Sequence, residues 1–486
     1  MEENKNSIQK QIFTLFFSGA FAQVVNFLIG VFLNRDLPLN DRGSIGQLIL
    51  LFSFFSAPII SGVSASILYF LPKYKNQFDR YFIKQSNIIF FILGLLLSLI
   101  FFSASSQISA LLNNYKLEGY LKIFSLYPLF KLLSSHYVNI LVSFSKTRQA
   151  AMFSSIESLS YALSIIGARL VSDSIELLVI FIVLHSFIIT VFVQHRLYLY
   201  TRNSVTRRIQ TSLLKEQLKY AGILGVNSSI GIWGWELDKL IVSQISSPKE
   251  YALYIAGATE VPFVNTLINS TSTVLIPVIS YLYTNGKFKE LLIEWRNAIK
   301  RNAIIVFPIF VFVYIYAENL IVLIYGIKYL GSTAYFKAYL FITPLRIISY
   351  GMISQAVGKT GVNLQGTLFF FTFNIIFNFM LVPLLGPIGS SIATVISTIL
   401  MAIFYLSKIK KILITNLRDL LPFKNLILIM IIAIISISPI TLIFSEPNLW
   451  QLILGSLLYF SMYFILILVF KITNIREIRS FIRMDK

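Results

Sequence analysis

Fourteen apolar runs, each long enough to cross a bilayer, alternate with short polar breaks along the chain. Their approximate limits are 12–33, 46–71, 85–103, 120–143, 150–171, 176–194, 220–245, 251–282, 302–323, 338–357, 364–384, 387–407, 425–444 and 449–470. A hydrocarbon core about 30 Å thick takes roughly 20 helical residues. In lipid each backbone N–H and C=O needs a partner within its own segment, so helices are the physical default. The pattern predicts an all-α polytopic membrane protein of about fourteen transmembrane helices. No break is long enough to hold a separate folded domain. The first run, about 33 Å long as a helix, is too long for a signal-peptide core and no small-residue cleavage site follows it, so it is expected to remain as the first span.

Composition agrees: 56% of residues are hydrophobic and 13% charged, where soluble domains carry about 25% charged residues. A net charge of +20 would suggest nucleic acid in a soluble protein. Here the basic residues sit in the short breaks, which is the signature of membrane topology, and no nucleic-acid partner is expected. With the N-terminus in the cytoplasm, 30 of the 41 Lys and Arg fall in inside segments and 6 in outside loops. That bias places both termini in the cytoplasm. The longest polar break, 195–219, is expected to be a basic cytoplasmic linker, lying on anionic lipid as an amphipathic helix. It divides an N-terminal lobe, 1–194, from a second lobe, 220–407. Residues 408–486 add two further spans and a cytoplasmic tail.

Segments 62–74 and 272–281 both run small or hydroxyl residues into aliphatics, a proline and aromatics. Each closes the second span of its half, which points to a parallel six-plus-six repeat with the substrate path between the halves.

Motifs of soluble catalysis are absent. His136, His185 and His195 show no metal-ligand spacing, and the absence of cysteine excludes disulfides and thiolate sites. Gly358-Lys359-Thr360 lacks the glycine a phosphate-binding loop needs five positions earlier, where Ile353 stands. No cofactor is expected; a proton or sodium gradient, the membrane potential or substrate supply would drive any transport.

Candidate chemistry lies in the ionisable residues at membrane depth, each costing roughly 2.5–3.5 kcal/mol if left bare. The seventh span, 220–245, carries Glu236, Asp238 and Lys239 beside Trp233 and Trp235. Glu236 and Lys239 share a helix face. One reading is a self-neutralising pair at the outer interface with tryptophans in the headgroup belt; the other is the charged wall of a water-filled cavity. Arg169 has Asp173 at i+4, a local salt bridge. Lys131 and Arg346 lie deeper, and no acid is within a turn of Arg346. Glu157 and Glu260 lie mid-span, as partners for those cations or as proton carriers. Fixed cations at depth suit an anionic group, since Arg and Lys both recognise phosphate. A lipid pyrophosphate bearing sugar fits; so does an anionic lipid that decorates the protein.

The run at 374–397, NIIFNFMLVPLLGPIGSSIATVIS, resembles the multidrug/oligosaccharidyl-lipid/polysaccharide exporter superfamily, in particular its polysaccharide branch. Segments 62–74, 238–258 and 325–329 agree in order, and the likeness covers essentially the whole chain. The resemblance implies two six-helix lobes in a V plus two C-terminal helices, the fold of the superfamily's drug exporters and lipid II flippases. It also implies a cationic central cavity, here Arg346, Lys131, Lys239 and Arg169, with Glu157, Glu260, Asp238 and Glu236 as coupling or charge partners. The implied activity is flipping of undecaprenyl-pyrophosphate-linked repeat units of O-antigen, capsule or exopolysaccharide to the outer leaflet of the bacterial cytoplasmic membrane. Expected partners are that substrate, membrane lipids, a polysaccharide polymerase and a chain-length regulator. The drug-exporter alternative loses ground because 12–33 lacks the acid those exporters carry, having only Gln23 and Asn26. The lipid II flippase alternative expects several arginines in the N-terminal spans, where only Arg169 stands. A polymerase or ligase would need a large outer loop that is absent, and an assembly scaffold is the remaining class. The protein is not expected to be an enzyme.

Overall fold

A computed structural model describes residues 2–74, 79–201, 211–445 and 447–473. The expectation of an all-helical chain holds: every regular element among the described residues is a helix. Among the described residues ten helices are long and apolar enough to cross a membrane. The other four expected spans depart from that pattern. The fourth is three short helices, Leu117–Phe124, Tyr127–Ser135 and Tyr137–Ser143. The eighth is split into Pro248–Gly257 and Val264–Thr284, and the tenth into Thr333–Leu340, Ile342–Leu345 and Met352–Ala356. The seventh lies within one unbroken helix, Thr211–Ile245, whose glycines, serines and charges leave it less apolar. Of the linker expected over 195–219, residues 202–210 lie outside the described residues; helices Ile175–Thr201 and Thr211–Ile245 take up the rest. The expected tail beyond 473 also lies outside them.

By contacts the chain forms two compact units, Met1–Ala252 and Leu253–Lys486. The helix Thr211–Ile245 therefore groups with the first unit, although the repeat places its span at the head of the second lobe. The reason is a line of small residues. Ala221 and Gly225, four positions apart, meet Pro58 and Gly62, spaced likewise on Leu39–Lys73. A Cβ on Gly62 would lie 2.2 Å from the Ala221 carbonyl oxygen, and one on Gly225 2.5 Å from that of Pro58. Small residues let two helices approach backbone to backbone where the hydrophobic effect between them is lost to lipid.

The same pair shows a second device. Pro58 has no N–H to give Phe54, so the Phe54 carbonyl loses its helical partner. Trp233 Nε1 donates to that oxygen at 2.7 Å, with its ring stacked on Phe54. Trp233 thus spends its indole N–H on a neighbouring helix.

The first unit has two apolar cores, one around Leu33, Ile45, Phe101 and Ile165, the other around Phe70, Phe82, Phe90 and Val193. In the second unit one core joins Phe288–Ile315 to the last two helices, Phe423–Ile443 and Leu449–Val469. Here Pro308 frees the Ile304 carbonyl, and Tyr463 Oη donates to it at 2.9 Å, while Tyr459 Oη reaches the Pro308 carbonyl at 3.1 Å. The expected C-terminal appendage is thus fastened by buried hydroxyls at the break in a neighbour's helical ladder.

Candidate functional site

The four irregular or charged spans carry Lys131, Glu236, Asp238, Lys239, Glu260 and Arg346, while Glu157 and Arg169 come from the unbroken helix Thr147–Val171. Lys131 follows Pro128 in the middle piece of the fourth span, and its Nζ lies 2.6 Å from Glu157 Oε1 on Thr147–Val171. Proline at the start of a helix turn is tolerated, but it ends the ladder of the preceding turn. The two side chains remain 33% and 22% exposed, so the pair is half-buried. Next to it His185 Nε2 lies 2.9 Å from Ser160 Oγ, and the His185 ring rests against Tyr161.

In the second unit Arg346 caps the one-turn helix Ile342–Leu345, two residues after Pro344. It grips Glu260 with both arms: Nε to Oε2 at 3.0 Å, and Nη2 to Oε1. Glu260 sits in the interruption between Pro248–Gly257 and Val264–Thr284, where Phe263 adopts a left-handed φ of 68°. Asn265 Nδ2 steadies the carboxylate at 2.9 Å. Exposures of 24% and 19% again leave the pair half-buried. Non-helical backbone at membrane depth is tolerated where it is buried in protein or lines water; Glu260 and Arg346 sit on such backbone, and Lys131 lies on a short helix between two breaks.

The two sites share a sequence feature that the sequence reading missed: Pro128-Leu129-Phe130-Lys131 and Pro344-Leu345-Arg346. Each lies in the fourth span of its half, which adds to the six-plus-six repeat. The signal was a proline followed within three residues by the only deep cation of its span.

Lys239 pairs with Glu236 at 3.1 Å, the local neutralisation expected at i, i+3. Asp238 is fully buried and its Oδ1 accepts from the Lys239 backbone N–H at 2.7 Å. Arg169 makes the expected bond to Asp173 at 2.8 Å and a further one, at 2.5 Å, to Asp36 on the first helix. With its side chain 7% exposed, Arg169 is a tie between helices. The structure therefore brings all four candidate cations against acids, three of them within the first unit and Arg346 in the second. No cluster that could hold a metal ion exists among the described residues.

The 374–397 motif is a hydrogen-bonded seam between Gly361–Leu385 and Pro387–Leu413. Asn378 Nδ2 donates to Asn374 Oδ1 at 2.7 Å, Asn374 Nδ2 to Thr394 Oγ1 at 3.2 Å, and Ser390 Oγ to Asn378 Oδ1. Gly386, at φ +64, makes the turn, and a Cβ on Gly389 would fall 2.4 Å from the Leu381 carbonyl oxygen. The motif builds a helix hairpin.

Long apolar helices, some interrupted and several carrying paired charges, mark a multi-pass membrane protein. A family profile for polysaccharide biosynthesis proteins matches residues 32–334, and the chain belongs to that family. Its fold is that of the multidrug/oligosaccharidyl-lipid/polysaccharide superfamily. The chain superimposes on the lipid II flippase MurJ in an inward closed conformation with a TM-score of 0.77, at 16% identity over 96% of this chain and 99% of that one. An inward-facing multidrug resistance MATE family transporter matches with a TM-score of 0.64, at 15% identity over 80% of this chain and 94% of that one. An uncharacterized membrane protein of Methanocaldococcus jannaschii, MJ1068, is 25% identical over 226 residues, 44% of this chain and 42% of the relative's length.

Proposed function

We propose that the protein moves a phosphate-bearing, lipid-linked saccharide from the cytoplasmic to the outer leaflet by alternating access. The substrate class is an undecaprenyl-pyrophosphate-linked repeat unit of the kind assembled into O-antigen, capsule or exopolysaccharide. The observation that carries this reading is the placement of Lys131–Glu157 and Arg346–Glu260: one half-buried pair in each unit, with the cation of each on an interrupted span.

A carboxylate on such a cation acts as a stand-in for the substrate. The Glu260 oxygens take the two positions that phosphate oxygens take on a guanidinium. An arriving phosphate displaces the glutamate, and the glutamate reclaims the cation when the phosphate leaves. At no stage is a bare cation left in low dielectric, which would cost roughly 2.5–3.5 kcal/mol. The polyprenyl tail stays in lipid.

The test is transfer of a fluorescent polyprenyl-pyrophosphate oligosaccharide across vesicles containing the purified protein. Lys131→Ala and Arg346→Ala are expected to abolish most of the transfer; wild-type rates in both would remove the cationic part of the proposal. Normal transfer in vesicles combined with loss of polymer in cells would favour the scaffold reading.

A further inference from the structure

Segments 287–301 and 408–424, among the most basic of those assigned to the cytoplasm, meet in the second unit. They line an open cavity of about 750 Å³ at the start of the helix Phe423–Ile443. Arg296 comes from Phe288–Ile315, Arg418 from the one-turn helix Leu417–Leu420, and Lys424 from the first turn of Phe423–Ile443. Every deep cation described above is matched by an acid. These three make no ion pair among the described residues, although Asp419 adjoins Arg418 and Glu294 lies two places before Arg296. Three exposed like charges line one cavity, and a bound anion would offset their repulsion.

Two more features fix the kind of anion. The first turn of Phe423–Ile443 has no side-chain cap, so its unpaired backbone N–H groups add to the positive end. From the cavity an exposed apolar stripe runs along the same helix through Phe423, Ile427, Ile431 and Ile434. A free phosphate would use the cations and leave the stripe idle. A phosphate with acyl chains uses both.

We infer that this cavity binds the headgroup phosphate of an anionic membrane phospholipid, with the acyl chains laid along Ile427, Ile431 and Ile434. The site is independent of the translocation reading, because none of its residues belongs to the Lys131–Glu157 or Arg346–Glu260 pair.

The test titrates delipidated protein in detergent with phosphatidylglycerol or phosphatidylcholine and counts bound lipid by native mass spectrometry. Phosphatidylglycerol is expected to bind preferentially. Its affinity falls about fivefold, ~1 kcal/mol, for each of Arg296→Gln, Arg418→Gln and Lys424→Gln. The combined Arg296→Lys, Arg418→Lys and Lys424→Arg variant keeps it, and so does Lys287→Gln with Lys289→Gln on the same helix end. Equal binding of the two lipids, or undiminished phosphatidylglycerol binding in the glutamine variants, would overturn the site. Displacement of the lipid by soluble glycerol phosphate at equal concentration would overturn the lipid assignment in favour of free phosphate.

Discussion

Arg346 and Glu260, 86 residues apart in sequence, face each other fork to fork, Nε to Oε2 at 3.0 Å and Nη2 to Oε1. Each stands where a span is interrupted, on backbone that a straight helix would not supply. The two-armed geometry is specific to guanidinium, because an ammonium offers a point charge without a fork. Arg346→Lys should therefore keep the charge and lose one charge-assisted hydrogen bond, lowering transfer by about tenfold. Initial rates in the vesicle assay check this; an unimpaired lysine variant would reduce the site to a simple positive charge.

Two prolines leave carbonyls without helical partners, and an aromatic side chain from a neighbouring helix answers each: Trp233 at Phe54, and Tyr463 at Ile304. Tyr463→Phe keeps the ring and removes only the donor. It should cost about 0.5–1.5 kcal/mol, seen as a lower melting temperature in detergent with transfer per folded molecule unchanged. Trp233→Phe should lose at least as much.

Asn374 and Asn378 are fully buried and bonded to each other and to Ser390 and Thr394. Asn378→Ala leaves the Asn374 amide oxygen and the Ser390 hydroxyl short of a partner. The expected loss is about 1–2 kcal/mol, within the range of polar contacts between membrane helices, with no change in the dependence of transfer on substrate charge. A stable variant with altered substrate preference would make the motif part of the substrate path instead.

Much of this architecture was legible in the sequence, because bilayer thickness imposes a length and a polarity on every span. The local pairs were legible too: Glu236–Lys239 and Arg169–Asp173 follow from helical spacing alone. Long-range choices were not. Glu157 and Glu260 were visible as candidate partners, but which cation each would meet depends on how separate helices pack, and Asp36 lies 133 residues from Arg169. Hydropathy also misses the breaks: an apolar run from 120 to 143 reads the same whether its helix is straight or interrupted. The Trp233 bond was hidden because nothing near it in sequence reports the carbonyl that Pro58 frees 179 residues away.

The charge bias makes a topological prediction that the natural absence of cysteine renders easy to test. Lys328→Cys should react with an impermeant maleimide added to intact cells, and Lys289→Cys only after the membrane is opened. The reverse pattern would invert the orientation on which inward-to-outward transfer rests.

The claim at the centre is that the cations serve the substrate and the glutamates hold their place. Arg346→Gln and Glu260→Gln each break the same pair, so both should lower the melting temperature to a similar degree. They should part in binding of a polyprenyl pyrophosphate, measured by isothermal titration on purified protein. Arg346→Gln should weaken binding by at least about tenfold, while Glu260→Gln, relieved of its competing carboxylate, should bind as tightly as the wild type or more so. Equal loss in both variants would mean that the pair only holds the fold together.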